Sequence, residues 1–548
     1  MLKQAIKRLR INLTSSRFRH AVVLQGDEKW RTEQLLELEP NSGLWIGEDP
    51  PDSRFQTILP SSLAHLLGQE FDCAIFSAEQ GFDADALGIV SGLIRAGGIV
   101  WILLPEGDFT NPANQRFLSY PYQNHQAWSN FQQHLIGTLK HQAWWLTPDQ
   151  ISTPELPIAQ SGFSDDLTRD QQQGLLAIEQ LALGHRKRPL VIEADRGRGK
   201  TALLGFAAAQ LVQQGKHIIL CAARYAQCET AFVHAAQQLN CDTQPGLVNT
   251  PQGALKFHSP DDLMLNHPPC DVLMIDEAAH LPTPMLQELV KRYPRVVFAT
   301  TLHGYEGSGR GFSLRFKPFL SQYFPQHKVI KLQQPIRWNQ ADPLEKIINQ
   351  ALCLDIDLPD LTTSAMTQSV EIRATTANQL NSEQIKNLFT LLVHAHYQTT
   401  PADLQHLMTA PDLTVYIAEQ YGQILGAMLV CEEGNLPEEL TAHRRVKGHL
   451  VPQLLRQHTG IHDLIGLQSQ RVLRLAVHPQ ARRQGIASQL VTYWQQHTPS
   501  LDFRSASFGV TQDLYHFWRQ LGFQSMHIGA KRDKASGTHN ILMVRSQH

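Results

Sequence analysis

Short apolar runs recur along this chain, separated by polar or helix-patterned stretches, and that alternation predicts parallel α/β sheets. In residues 1–155 the runs AVVLQG (21–26), CAIFSA (73–78) and GIVWILLP (98–105) have strand length and no polar face, as expected of strands covered on both sides. The stretch 83–96 between two of them is helix-patterned, so the block predicts an open, Rossmann-like α/β domain. The loose segment TPDQISTPELPIAQSG (147–162) is the expected linker. Residues 163–360 repeat the pattern with PLVIEA (189–194), HIILCAA (217–223), DVLMIDEA (271–278) and RVVFATT (295–301). In residues 368–548, strands are expected near 414–433 and 471–478 and a helix at 485–497. The fold class is α/β and multidomain, with three successive domains and no internal repeat.

The second block carries the first chemistry. Residues 194–201 read ADRGRGKT, the phosphate-loop pattern G-x-x-x-x-G-K-[ST] with Ala194 replacing the first glycine. The loop follows an apolar strand and opens a helix, so its N–H groups and the helix N-terminus face phosphate oxygens. Lys200 would reach the β- and γ-phosphates, and Thr201 would ligate Mg²⁺. Residues 272–277, VLMIDE, end a strand on two carboxylates. Asp276 would hold Mg²⁺ and Glu277 would orient the attacking water. Leu167-Thr-Arg-Asp-Gln171 resembles the glutamine element of helicase-like ATPases, which contacts adenine. Arg310, in ATTLHGYEGSGRGF (299–312), is a candidate arginine finger, or else a solvated loop residue; Arg337 is a weaker candidate. Together these features predict a RecA/helicase-like P-loop ATPase domain over 163–360.

A second phosphate-binding turn lies in the third block. VLRLAVHPQARRQGIA (472–487) resembles the core motif of the GNAT acetyltransferases, a strand followed by [RQ]-x-x-G-x-[GA] opening a helix. Gly485 and Ala487 keep the turn bare, so its N–H groups can face the CoA pyrophosphate, while Arg482 and Arg483 add charge. The pantetheine arm is expected along Leu475, Ala476 and Val477, where a splayed strand would expose an N–H to polarise the thioester carbonyl. SFGVTQDLYHFWRQLGF (507–523) resembles the second GNAT signature, a helix near the CoA thiol. Many GNAT enzymes place an acidic tyrosine where this chain has Trp518, which has no acidic proton to give. Tyr515, His516 or water is left as the acid, and His478 is a candidate base or simply a loop histidine beside Pro479.

ADRGRGKT, MIDEAAHLP, ATTLHGYEGSGRGF and LAVHPQARRQGIAS in one chain resemble the bacterial tRNA(Met) cytidine acetyltransferase (TmcA) family, as does FDADALGIVSGLIRAGGIVWILLP (82–105). The resemblance implies acetyl transfer from acetyl-CoA to the N4 of the wobble cytidine of elongator tRNA-Met, with ATP or GTP hydrolysed alongside. It places nucleotide contacts on Gln171, Glu193, Ala194, Asp195, Arg196, Gly197, Arg198, Gly199, Lys200, Thr201, Ala202 and Arg310. It places acetyl-CoA contacts on Leu475, Ala476, Val477, Arg482, Arg483, Gln484, Gly485, Ile486, Ala487 and Ser488, with Asp513 near the cofactor. Arg519 and Gln520 compete for a nearby arginine position. Longer members continue into a tail that helps hold tRNA, whereas this chain stops 25 residues after Phe523, as a short member would. That difference keeps open another tRNA nucleoside or a protein lysine as acceptor, or an ATP-driven RNA remodeller with acetyl-CoA as regulator.

Composition narrows the setting. Of 548 residues, 42% are hydrophobic and 18% charged, which excludes a disordered chain. Seven scattered cysteines without a C-x-x-C pair argue against structural zinc and a disulfide framework. No apolar run reaches membrane-spanning length, and MLKQAIKRLRINL is basic without a signal peptide's apolar core. A cytoplasmic monomer is expected. The net charge of −2 hides an asymmetry: residues 441–548 hold 14 Lys+Arg against 4 Asp+Glu. A segregated basic end is the footprint of a polyanion such as tRNA, although it also suits CoA phosphates alone.

Overall fold

The computed structural model describes residues 2–159, 167–242, 244–301, 312–354, 357–361, 369–396, 399–441, 445–459, 462–498, 500–532 and 538–546. Three seven-stranded sheets, one per sequence block, organise them. The first holds β1 (His20–Gln25), β2 (Gly43–Ile46), β3 (Phe55–Ile58), β4 (Phe71–Ser77), β5 (Ile94–Leu104), β6 (Trp144–Leu146) and β7 (Ile151–Ser152), in the order β3-β2-β4-β5-β1-β6-β7. Its strands run parallel except β7. All six residues of β1 are at least half-buried, because helices cover both faces; Ile6, Leu9 and Leu13 of the helix Leu2–Ser16 pack there. The helix expected over 83–96 stops at Ser91, before Gly92, and β5 already starts at Ile94.

The second sheet holds β8 (Leu190–Ala194), β9 (His217–Cys221), β10 (Leu247–Asn249), β11 (Ala254–Phe257), β12 (Val272–Ile275), β13 (Val296–Thr301) and β14 (Lys328–Leu332). The order is β10-β11-β9-β12-β13-β8-β14, parallel except for β10. β13 therefore lies between the strand that feeds the phosphate loop and the strand that ends in Asp276.

The third sheet holds β15 (Glu371–Thr375), β16 (Leu413–Gln420), β17 (Gln423–Gly434), β18 (Gln468–Val477), β19 (Phe503–Gly509), β20 (Gln524–Arg532) and β21 (His539–Ser546), in the order β15-β16-β17-β18-β19-β21-β20. It is antiparallel except for the pair β18 and β19. The helices Ile486–His497 and Gln512–Gln520 pack Ile486, Leu490, Trp494 and Trp518 into one core with Met428, Val472 and Met543.

By compactness the chain forms two units that cut across the linear blocks. One comprises Met1–Ser77, Asp85–Glu106 and Leu139–Gln350, and the other Ala78–Ala84, Gly107–Thr138 and Ala351–His548. Gln405 shows why two segments of the first block belong with the third sheet. Its Nε2 donates to the Phe82 carbonyl (2.9 Å) and Asn114 Oδ1 (3.0 Å), and its Oε1 accepts from the Ala84 N–H (2.9 Å). Ser119 likewise donates to Asp412 (2.7 Å).

Candidate functional site

The phosphate loop is built as its sequence requires. Gly197 (φ +77°) and Gly199 (φ +76°) adopt the left-handed conformation that glycine takes without strain, and Gly199 caps the helix Lys200–Gln213. That helix leaves its first N–H groups without intrahelical partners, facing the loop. Lys200 is 7% exposed; its Nζ donates to Thr301 Oγ1 (2.8 Å) and lies 3.4 Å from Glu277 Oε1. Thr201 Oγ1 donates to Asp276 Oδ2 (2.7 Å). Thr301 Oγ1 also bonds both Glu277 carboxylate oxygens, at 3.0 and 3.1 Å. Thr301 was not anticipated from the sequence. The strand order explains its place, since β13 ends between the loop and the acidic pair, and a hydroxyl at a parallel strand's carboxyl end is the available signal.

Asp276 is fully buried, and burial together with the neighbouring Glu277 carboxylate pushes its carboxyl up to about 6. A buried carboxylate, an adjacent threonine hydroxyl and one lysine against two acids form a donor set short of positive charge. That set fits Mg²⁺ brought with nucleotide phosphates. Among the described residues no cluster of three His, Cys, Asp or Glu side chains would hold a metal without such help. The raised pKa has a stability consequence. Below the ordinary carboxylate range the folded and unfolded chains both carry the proton. From there to about 6 only the folded chain does, so stability is lost as pH rises through that window. Asp276→Asn is therefore expected to raise the melting temperature of the nucleotide-free protein near neutral pH while removing hydrolysis. Calorimetry and phosphate release on the same variant check both halves; a lowered melting temperature contradicts the first.

The other loop residues divide by role. Asp195, Arg196, Gly197, Arg198 and Gly199 are half-buried, whereas Ala194 and Ala202 are packed in the core. Glu193 does not face the loop: it is 1% exposed at the end of β8, and its carboxylate pairs with Lys317 Nζ at 2.6 Å. Any contribution it makes to phosphate is through its backbone. Gln171 is buried beside the loop. Its Oε1 accepts from the Thr168 N–H (3.1 Å) in a capping box and its Nε2 donates to the Gly199 carbonyl (3.4 Å), so the side chain supports the loop. Arg310 lies outside the described residues. Arg337 pairs with Glu70 (3.6 Å) and donates to the Gly92 carbonyl (3.3 Å), which binds it to the first sheet instead of the phosphate loop.

The second turn, Arg482–Gly485, is exposed. Gly485 (φ +81°) caps the helix Ile486–His497, and a β-carbon there would meet only Gln489 Nε2, at 3.8 Å. Arg483 is also left-handed (φ 64°), and Gln484 donates to the Gln480 carbonyl (3.2 Å). Ile486 is buried against Gly426, so it offers the loop its N–H and no side chain; Ala487 and Ser488 are half-buried in the first helical turn. Arg483 and Asp513 approach to 3.8 Å with both side chains exposed, which brings the start of the helix Gln512–Gln520 beside the turn. Arg519 on that helix is exposed.

Between the turn and the sheet there is a split. β18 pairs with β19 only from Ser469 to Val472, opposite Phe503 to Ala506. Beyond that β18 stays with β17 and β19 stays with β21, so the backbones of Leu473–Val477 and Ser507–Gly509 face each other without ladder bonds. The ladder to β17 skips Leu473, because Val430 faces Val472 while Leu429 faces Arg474. This bulge and splay leave backbone groups of the stretch outside the strand ladders, the arrangement a thioester carbonyl would call on. Ala476 is packed inward, and Leu475 and Val477 are half-buried at the split.

His478 is not free to act as a base. It is 4% exposed; Nδ1 accepts from the Gln480 N–H (3.3 Å) as a helix cap, and Nε2 reaches the Pro359 carbonyl (3.1 Å). Trp518 is a core residue against Phe523 and Phe508, whereas the two candidate proton donors on that helix are Tyr515, half-buried, and His516, exposed. On the opposite face of the sheet a cavity of about 170 Å³ opens at the bulge. It is lined by Leu473, Arg474, Leu429, Thr399, Asp403 and His406, among others. Arg474 donates to Asp403 Oδ1 (2.8 Å) and Thr399 Oγ1 (3.2 Å). Burial lowers the His406 pKa, so its imidazole is neutral at physiological pH; its ring stacks on Phe117. None of these cavity residues was singled out in the sequence, where a bulge has no marker.

Among the described residues no cysteine forms a disulfide, and no helix is long and apolar enough to cross a membrane. Three family models match the chain. They are the N-terminal domain of tRNA(Met) cytidine acetyltransferase TmcA over residues 1–150, the helicase domain of RNA cytidine acetyltransferase NAT10/TcmA over 191–355, and GNAT acetyltransferase 2 over 387–499 and 488–548. The chain is 36% identical to the tRNA(Met) cytidine acetyltransferase of Nitrosococcus halophilus, across 97% of its own length and 76% of the relative's. Identity to the Vibrio cholerae enzyme of that name is 37%, covering 96% of this chain and 73% of the relative. For the Salmonella typhimurium enzyme the figures are 33%, 98% and 78%.

Proposed function

Because this chain belongs to the tRNA(Met) cytidine acetyltransferase family, we propose that it moves the acetyl group of acetyl-CoA to the exocyclic N4 of a cytidine in tRNA(Met), and hydrolyses ATP or GTP with Mg²⁺ in the same polypeptide. One observation carries the proposal. Two bare turns, around Lys200 and Gly485, each open a helix from a left-handed glycine, and each stands beside a built site. The acidic pair completes the first as a hydrolytic site, and the strand split completes the second as an acyl-transfer site.

The acetyl donor would lie with its pyrophosphate on the N–H groups of residues 483–488 and its thioester in the split between β18 and β19. Donors at the bulge would stabilise the oxyanion as the amine attacks. The acceptor base would enter from the cavity at Arg474 and Asp403. His406, kept neutral by burial, replaces His478 as the histidine placed to take the amine proton. Tyr515 or His516 would return a proton to the CoA thiolate. The basic balance of residues 441–548 supports an RNA acceptor in a reducing, cytoplasmic setting.

Arg474→Ala is expected to lower kcat/KM for tRNA by roughly 10- to 100-fold with acetyl-CoA affinity unchanged, and Arg474→Lys to recover part of the loss. Equal losses in acetyl-CoA and tRNA affinity would place Arg474 in the scaffold. The proposal as a whole is tested by incubating the protein with bulk tRNA, acetyl-labelled acetyl-CoA and ATP. Label in the RNA fraction is expected; label confined to protein would refute it.

A further inference from the structure

The segment 333–345, QQPIRWNQADPLE, runs between the phosphate loop and the first sheet and touches both. On the loop side, the Ile336 N–H donates to the Gly197 carbonyl (2.8 Å). A β-carbon at Gly197 would stand 2.6 Å from Cη2 of Trp338, so the indole edge occupies the space a side chain would take. Glu345 joins the same two elements: its Oε2 accepts from Trp338 Nε1 (3.1 Å) and its Oε1 from Arg198 Nη1 (2.7 Å). On the sheet side, Arg19, just before β1, lies over the Trp338 ring, 3.4 Å from its centroid. Arg19 is 1% exposed and held from several directions. Its Nε and Nη2 donate to Asp342 Oδ2 (3.1 and 2.9 Å), its backbone N–H to Asp342 Oδ1 (2.6 Å), and its Nη1 to the Ser91 and Ile94 carbonyls. The Leu344 and Asn339 N–H groups donate to the Arg19 and Arg17 carbonyls (3.1 and 3.0 Å).

A buried guanidinium is costly unless fully paired; this one gives its donors to Asp342 and to the Ser91 and Ile94 carbonyls, and that anchoring holds its face over the tryptophan that abuts the loop. We propose that Arg19 and Trp338 are positioning residues for nucleotide binding, through which the N-terminal sheet holds the phosphate loop in its nucleotide-receiving shape. This rests on the reading of the Lys200 loop as a nucleotide site and gives the first sheet a task within it. Without the clamp the loop would have to be ordered by the incoming polyphosphate, and binding would weaken by that ordering entropy. The defect therefore falls on KM more than on kcat.

The test uses the full chain carrying Trp338→Leu, Trp338→Phe, Arg19→Lys or Glu345→Gln, with hydrolysis kinetics, the Kd of a fluorescent ADP analogue and the melting temperature measured for each. W338L and R19K are expected to raise KM for ATP and the Kd for the analogue roughly tenfold, with kcat within about threefold of wild type. W338F keeps a ring under Arg19 and is expected to stay within about twofold. E345Q, at a partly exposed side chain, tests the same path without burying a defect and is expected to raise KM severalfold. Wild-type KM and Kd in folded W338L and E345Q would overturn the proposal. So would a loss in W338F equal to that in W338L, or KM values that merely follow melting temperature. A wild-type chain that binds no analogue would instead remove the nucleotide reading itself.

Discussion

Lys200→Ala is expected to abolish nucleotide hydrolysis, lowering kcat on the order of 10³-fold. The amine sits where two demands meet. In the nucleotide-free protein it contacts Glu277 and Thr301 and is the cation that offsets the buried Asp276 and its neighbour. With nucleotide present it would turn to the β- and γ-phosphates, where a methyl group offers neither charge nor reach. The variant also leaves the two carboxylates facing each other without their lysine, which raises Asp276 further and weakens its hold on Mg²⁺. Phosphate release at saturating ATP and Mg²⁺ measures the loss. Acetyl-CoA binding, built on other residues, should be unchanged. Hydrolysis within about tenfold of wild type would show that Lys200 is not on the reaction path.

Gly485→Glu is expected to weaken acetyl-CoA binding by at least about 100-fold. Two effects add. The backbone at +81° strains any L-residue, at a cost of about 1–3 kcal/mol. The new carboxylate would project into the open space before the turn, where the proposed site would hold the CoA pyrophosphate near Arg482 and Arg483. Because that space holds only Gln489 Nε2 nearby, the fold should tolerate the change. Gly485→Ala separates the two effects, carrying the strain without the charge, and should lose much less. Calorimetric titration with acetyl-CoA gives both numbers. Near-wild-type affinity in the glutamate variant would remove the cofactor from this turn.

Both turns are legible in the sequence because a backbone that grips a diphosphate needs glycine for the left-handed bend and lysine or arginine for charge, at fixed offsets after an apolar strand. The sheets of the first two blocks are legible for a related reason: strands buried on both faces, such as Val22–Leu24 and Val272–Ile275, are unbroken apolar words. Features with no such local mark depend on pairing across long sequence distances. QSMHIGAKR of β20 carries only the short alternation Met526, Ile528 and Ala530 and is largely exposed, so burial gives the strand no strong mark. The 107–138 segment leaves its own block because Asn114 and Ser119 find partners in Gln405 and Asp412, nearly 300 residues away. Thr301 reaches the Lys200 loop through strand order, and Arg474 reaches the cavity beside Leu473 through a one-residue bulge. His478, a histidine before proline at a strand end, reads as accessible, yet Nδ1 caps the turn that follows and Nε2 meets the Pro359 carbonyl, a partner far away in sequence.

The most direct test of the account is nucleoside mass spectrometry of tRNA after incubation with the protein, acetyl-CoA carrying a heavy acetyl group, and ATP. Heavy N4-acetylcytidine is expected in tRNA(Met), and none when Gly485→Glu replaces the wild-type protein. Unmodified cytidine throughout, with the heavy acetyl group recovered on lysine side chains, would contradict the account.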